Sequence, residues 1–158
     1  MMGKGIFTIK DCKARVQFIL ICLLISMGLP TQLYAQGECP QTRKTPTAPK
    51  QFLVMKNPLP LNAETLKAGE ALFQKQALPI TCKTCHGVKG NGKGEPDFES
   101  TPAARNFTCV KTMETLTDGQ LFWIIRNGSP NTSMFGFPDL SDKQVWQLVH
   151  YIRQFAKK

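Results

Sequence analysis

Cys82, Lys83, Thr84, Cys85 and His86 are the residues whose types and spacing restrict the chemistry of this chain most tightly. Two thiols three positions apart, followed at once by an imidazole, form the C-x-x-C-H pattern of covalent c-type haem attachment. The thiols add to the two vinyl groups of one porphyrin, and the next side chain reaches the iron. A bare C-x-x-C also serves zinc sites and redox dithiols. A closed zinc site needs two further ligands, and downstream the chain offers only Cys109 and His150. A thioredoxin-like dithiol would sit in a βαβ pattern, which the sequence lacks. The expectation is therefore one haem c, held by Cys82 and Cys85, with His86 on the iron.

An iron that only carries electrons is ligated on both faces, and a thioether raises its potential relative to a second histidine. Met113, Met134 and His150 are the downstream candidates. Met113 falls just before a helix cap, and His150 falls on the flank of an apolar helix stripe. Met134 stands in a loop bounded by glycine and proline, between Ser129 and Pro138, with Phe135 and Phe137 beside it to exclude water. His86 and Met134 are the expected metal ligands. Arg105 and Asn106, within Pro-Ala-Ala-Arg-Asn-Phe, either reach the haem propionates or belong to an ordinary solvated loop. Gly87, Gly90, Gly92 and Gly94 lack the strand before and the helix after that a phosphate-binding loop requires. They are expected instead to let backbone pass near the porphyrin edge.

These residues need elements to hold them, and the capping signals mark three helices. Asn62 with Glu64 and Thr65 opens the first, whose Leu66, Gly69, Leu72 and Phe73 recur at helical spacing up to Gln76. Gly69 costs about 1 kcal/mol relative to alanine inside a helix, which predicts a close approach by another backbone. Thr117 and Gln120 read as a capping box for a second helix that Asn127 and Gly128 close. Ser141 and Gln144 read as another, opening a last helix with Val145, Leu148, Val149, Ile152 and Phe155 on one face. No strand signal of useful length is present.

The N-terminus reads as a targeting segment. Lys4, Lys10, Lys13 and Arg15 precede an apolar run from Val16 to Leu29, and Leu33-Tyr34-Ala35 ends in a small residue suited to cleavage. The run is shorter than the roughly 20 residues that span a bilayer, and Gln36, Gly37 and Glu38 are poor company for a lipidated Cys39. The expected division is a secretory signal over 1–35, a proline-rich extended arm over 36–61 and a haem domain over 62–158. The whole chain carries a formal net charge of +9, and loss of 1–35 leaves it basic. Such a surface speeds encounter with acidic partners. Export, with no long Lys/Arg run, disfavours nucleic acid. Cys39 and Cys109 remain over: in an oxidising compartment they either pair as a disulfide or stay as two thiols.

In order along the chain, the first helix, C-x-x-C-H, the glycine-rich loop, the Pro-Ala-Ala-Arg-Asn-Phe segment, a helix, Asn-Gly, a loop methionine and a final amphipathic helix resemble a bacterial class I cytochrome c. The resemblance covers Asn62 to Lys158. It implies an all-α cytochrome c fold, with three to five short helices wrapped around one covalent haem. It also implies a crossing of first and last helices at Gly69, Phe73 and Tyr151, a carbonyl of Pro96 offered to His86, and Arg105 on a propionate. The protein expected is not itself an enzyme: it is a periplasmic one-electron carrier whose redox partners are acidic at the docking site, with Lys83, Lys89, Lys93 and Lys111 either ringing the haem edge to steer them or forming a generic solvated surface. It would meet a membrane only through a membrane-bound redox partner. The alternatives are a haem subunit docked by its arm in a larger periplasmic oxidoreductase, and a ligand-binding or catalytic haem protein whose iron lacks Met134.

Overall fold

Asn62 and Ser141 open the two helices that cross at the centre of the structure. Asn62 accepts a hydrogen bond from the Thr65 amide at 2.9 Å, and Ser141 and Gln144 complete both halves of their capping box, so that amides with no intrahelical partner are satisfied. The computed structural model describes residues 37–41, 45–98 and 100–157, all within the unit Gln36–Lys158. The expected signal segment, 1–35, lies outside the described residues.

The elements are α1 (Lys50–Leu53), α2 (Ala63–Ala71, continued by a π-helical turn, Leu72–Gln76), α3 (Cys82–His86), α4 (Val110–Met113), α5 (Asp118–Asn127) and α6 (Asp142–Phe155). The fold is all-α, as expected. Among the described residues of 62–158 there are five α-helices, α2 to α6, within the three to five anticipated; α3 and α4 are single turns, and α1 lies in the arm. The described residues form no strand, and an isolated antiparallel bridge joins Gly128 to Phe135. None of their helices is long and apolar enough to cross a membrane.

Helices α2 and α6 make the most extensive pairing. A Cβ on Gly69 would run into the backbone of Gln147 and the side chain of Tyr151; the absent side chain is what lets the two backbones approach. Phe73, fully buried, then packs 5.5 Å from the Tyr151 ring and 5.3 Å from the Phe155 ring. The crossing that the resemblance implied at Gly69, Phe73 and Tyr151 is present.

The proline-rich arm, expected as an extended arm or linker, is not extended throughout: Lys50–Leu53 form α1. Pro49 sits at the N-cap of α1, the end of a helix where the missing N–H of proline costs nothing. Phe52 of α1 stacks on Phe122 of α5 at 6.4 Å. Asn57 donates to the Trp146 carbonyl at 2.8 Å, and His150 Nε2 donates to the Leu59 carbonyl at 2.9 Å. Cys39 and Cys109 are joined by a disulfide across 70 residues. The arm is a strap, tied along its length to α5, α6 and the segment before α4.

The second capping box is half made for the same reason. Thr117 accepts from the Gln120 amide, but the Gln120 side chain turns to the strap. It accepts from the Ala48 amide at 2.8 Å and donates to the Pro46 carbonyl at 3.0 Å.

Candidate functional site

The C-x-x-C-H residues wind into the single turn α3, which places Cys82, Cys85 and His86 at successive points on the wall of one cavity. Met134 lines the same cavity from the loop between α5 and α6. The empty space measures about 1090 Å³, partly open to solvent, and its wall is mainly apolar: Phe73, Phe107, Ile124, Ile125, Leu148 and Ile152 contribute. That space includes open solvent, so the lining and not the volume points to the kind of group bound: an apolar wall with a few convergent donor side chains.

His86 is buried, and its orientation is set from two sides. Its ring stacks on Phe107 at 4.4 Å, and its Nδ1 donates to the Arg105 carbonyl at 3.0 Å. A carbonyl can only accept, so Nδ1 carries the proton and Nε2 keeps its lone pair for a metal. This corrects the expectation for Pro96, whose carbonyl was to take that proton. Pro96 is exposed in a turn and does not line the cavity.

Cys82 and Cys85 are unbonded. Burial pushes the Cys82 thiol up to about 12, with Cys85 adding to the effect against a lowering by its own backbone, and burial also raises Cys85. Among the described residues, no group of three or more His, Cys, Asp or Glu is gathered as metal ligands. The donor set fits a covalently attached porphyrin: two adjacent thiols, an imidazole with the correct nitrogen unprotonated, and a thioether, all facing one apolar space.

Met134 is held by its own loop. Its amide donates to Thr132 Oγ1 at 3.1 Å, and its carbonyl accepts from the Ser129 amide at 2.8 Å. Phe137 N–H returns to the Ile125 carbonyl at 2.9 Å. Phe135 and Phe137 flank it on the cavity wall, their ring centres 5.1 Å apart. The other methionine considered, Met113, is buried away from the cavity, and the His150 imidazole is bound to the strap.

Arg105 lines the cavity, with its guanidinium bonded to Thr45 Oγ1 and, at 3.5 Å, to Gln41 Oε1. Asn106 does not line it. Its amide nitrogen donates to the carbonyls of Gly37 and Glu38, and its oxygen accepts from Thr108, so Asn106 ties down the strap and is not placed to bind a cofactor. The glycine-rich loop is likewise absent from the wall: Gly90, at φ +65°, passes against the Phe155 ring instead. Thr45 and Gln120 line the cavity and were not foreseen. The only sequence signal for Gln120 was its position in the capping pattern, and for Thr45 there was none. Lys83 pairs with Glu95 at 3.1 Å, and Lys89, Lys93 and Lys111 are exposed.

Residues 64–152, more than half of the chain, match the family described as cytochrome c oxidase, cbb3-type, subunit III. Among solved structures, the chain is similar to one in the reducing HAO-like protein complex of Kuenenia stuttgartiensis, with 25% identity and a TM-score of 0.50 over 64% of this chain and 49% of that one. It thus spans about half the length of that relative. Comparison with curated proteins yields no match.

Proposed function

We propose, because this chain belongs to the c-type cytochrome family described as cytochrome c oxidase, cbb3-type, subunit III, that it moves single electrons through one haem c attached at Cys82 and Cys85 and ligated by His86 and Met134. The family carries covalent haem c, so electron transfer is its general role; the attachment points, the axial pair and a periplasmic location are our reading. One observation carries it: both thiols, the imidazole and the thioether face a single apolar cavity.

The bound group supplies a reversible one-electron couple. The chain does the rest. His86, its Nδ1 proton held by the Arg105 carbonyl, presents Nε2. Met134 would supply the second ligand to the group, which would leave no position for substrate. Phe137 and the isoleucines of α5, all buried, keep water from the part of the wall they form, whereas Phe135 is exposed. Arg105, anchored to Thr45, is the cation best placed for a propionate. The basic surface favours acidic redox partners, with encounter rates that fall as salt rises.

A spectrum and redox titration of the mature protein test this. The expected result is a thioether-linked haem with a methionine–iron band at the red end of the oxidised spectrum and no carbon monoxide adduct when reduced. A haem that binds carbon monoxide readily would overturn the axial assignment.

The matched family is described as an oxidase subunit, and the similar structure is a redox complex. These favour a second reading, a haem subunit within a larger oxidoreductase. Size-exclusion of native periplasmic extract separates the two readings: a free carrier elutes near its own mass, and a subunit elutes with its complex.

A further inference from the structure

We infer that Gln41, in the N-terminal strap, is a positioning residue for the proximal side of the haem site, acting through the peptide unit that receives the His86 proton. This rests on the reading of His86 as the iron ligand.

The Arg105 carbonyl and the Asn106 N–H belong to one planar peptide unit. In the trans arrangement they point in opposite directions. His86 Nδ1 donates to the carbonyl end at 3.0 Å, and Gln41 Oε1 accepts from the N–H end at 2.9 Å. The same Gln41 side chain donates through Nε2 to the Ala104 carbonyl at 3.0 Å, which lies on the preceding peptide unit. One side-chain amide therefore holds both peptides flanking Arg105, and the Arg105 carbonyl cannot swing away from His86 without breaking these bonds.

Gln41 is itself fixed. Its backbone N–H donates to Thr112 Oγ1 at 3.4 Å, and Cys39, two residues before it, is in the disulfide to Cys109. The chain from Gln41 through the peptide to His86 is a series of aligned hydrogen bonds, in which each bond polarises the next. A firmer acceptor on Nδ1 makes an imidazole a stronger donor to its metal. Stronger donation favours the oxidised, more positive iron and holds the potential down. Loosening Gln41 should raise it.

The test uses the mature haem-loaded protein. Gln41→Met keeps the side-chain length and removes the side-chain amide's hydrogen bonds to the Asn106 N–H, the Ala104 carbonyl and the Arg105 guanidinium. The expected result is an upward shift of the midpoint potential, equivalent to about a tenfold rise in the reduced-to-oxidised ratio at fixed ambient potential, with faster solvent exchange of the His86 Nδ1 proton. Asn57→Ala, which removes the strap's bond to the Trp146 carbonyl, should leave both unchanged. A potential unmoved in Gln41→Met, or moved equally in Asn57→Ala, overturns the inference while leaving the haem assignment standing. A wild-type protein without the attached-haem spectrum would instead sink the assignment itself. If Gln41→Met does not mature, Gln41→Asn is read in the same way: a smaller upward shift supports the role of Gln41, and an unmoved potential overturns it.

Discussion

His86 and Met134 reach one cavity from segments that are built differently. His86 sits on a single helical turn and takes its orientation from residues distant in sequence: the Phe107 ring and the Arg105 carbonyl, the latter backed by the strap. Met134 is fixed by neighbours within five residues, Ser129 and Thr132, with the loop returned to α5 through Phe137. The His86 side of the cavity is thus a tertiary construction and the Met134 side a local one. On the proposed ligation, a substitution on the His86 side should propagate to folding and maturation, and one on the Met134 side should alter ligation with the fold intact.

His86→Ala breaks the comparison most severely. It removes the proposed ligand with its contacts to Phe107 and the Arg105 carbonyl, and it should abolish accumulation of haem-loaded protein, as read by haem staining of the exported fraction. Met134→Ala should keep the haem attached. The potential should fall and the reduced protein should bind carbon monoxide, both measurable by spectroscopic titration; an unaltered oxidised spectrum would remove Met134 from the iron. Gly69→Ala acts on neither face directly. Its new Cβ meets the Gln147 backbone, which cannot retreat as a flexible side chain can, so stability should drop by about 1–3 kcal/mol despite the better helix propensity of alanine, and thermal melting should show it. Thr132→Val is the mildest. It deletes the acceptor for the Met134 amide and the donor to the Ser129 carbonyl, worth about 1 kcal/mol each. It should speed displacement of methionine by imidazole and lower the melting temperature by several degrees.

The strap shows where reading the sequence stopped short. Five prolines argued for extended chain, yet Pro49 caps the helical turn α1 within it. What held the segment in place was a set of partners 60 to 90 positions away: Gln120 for Ala48, Trp146 for Asn57, and Ala104 and Asn106 for Gln41. Gln120 illustrates the conflict. Its spacing from Thr117 is that of a capping box, yet two strap hydrogen bonds outcompete one bond to the cap, and the box is left half formed. Ser141 and Gln144 have no such competitor and close theirs completely.

By itself, the sequence determined the elements and the donors. Capping residues and apolar periodicity are local properties, so α2, α5 and α6 were legible, and the spacing of Cys82, Cys85 and His86 compels their appearance on one turn. Met134 was legible because its loop is closed by adjacent residues. The acceptor for the His86 proton was decided only by tertiary structure. A backbone carbonyl is present at every position and leaves no mark in residue type, so nothing local distinguishes Arg105 from Pro96. The assignment of Asn106 to the strap and of Arg105 to the cavity wall had the same origin: neighbouring polar side chains in one segment point to different sides, and only the packed chain determines which side holds the cavity.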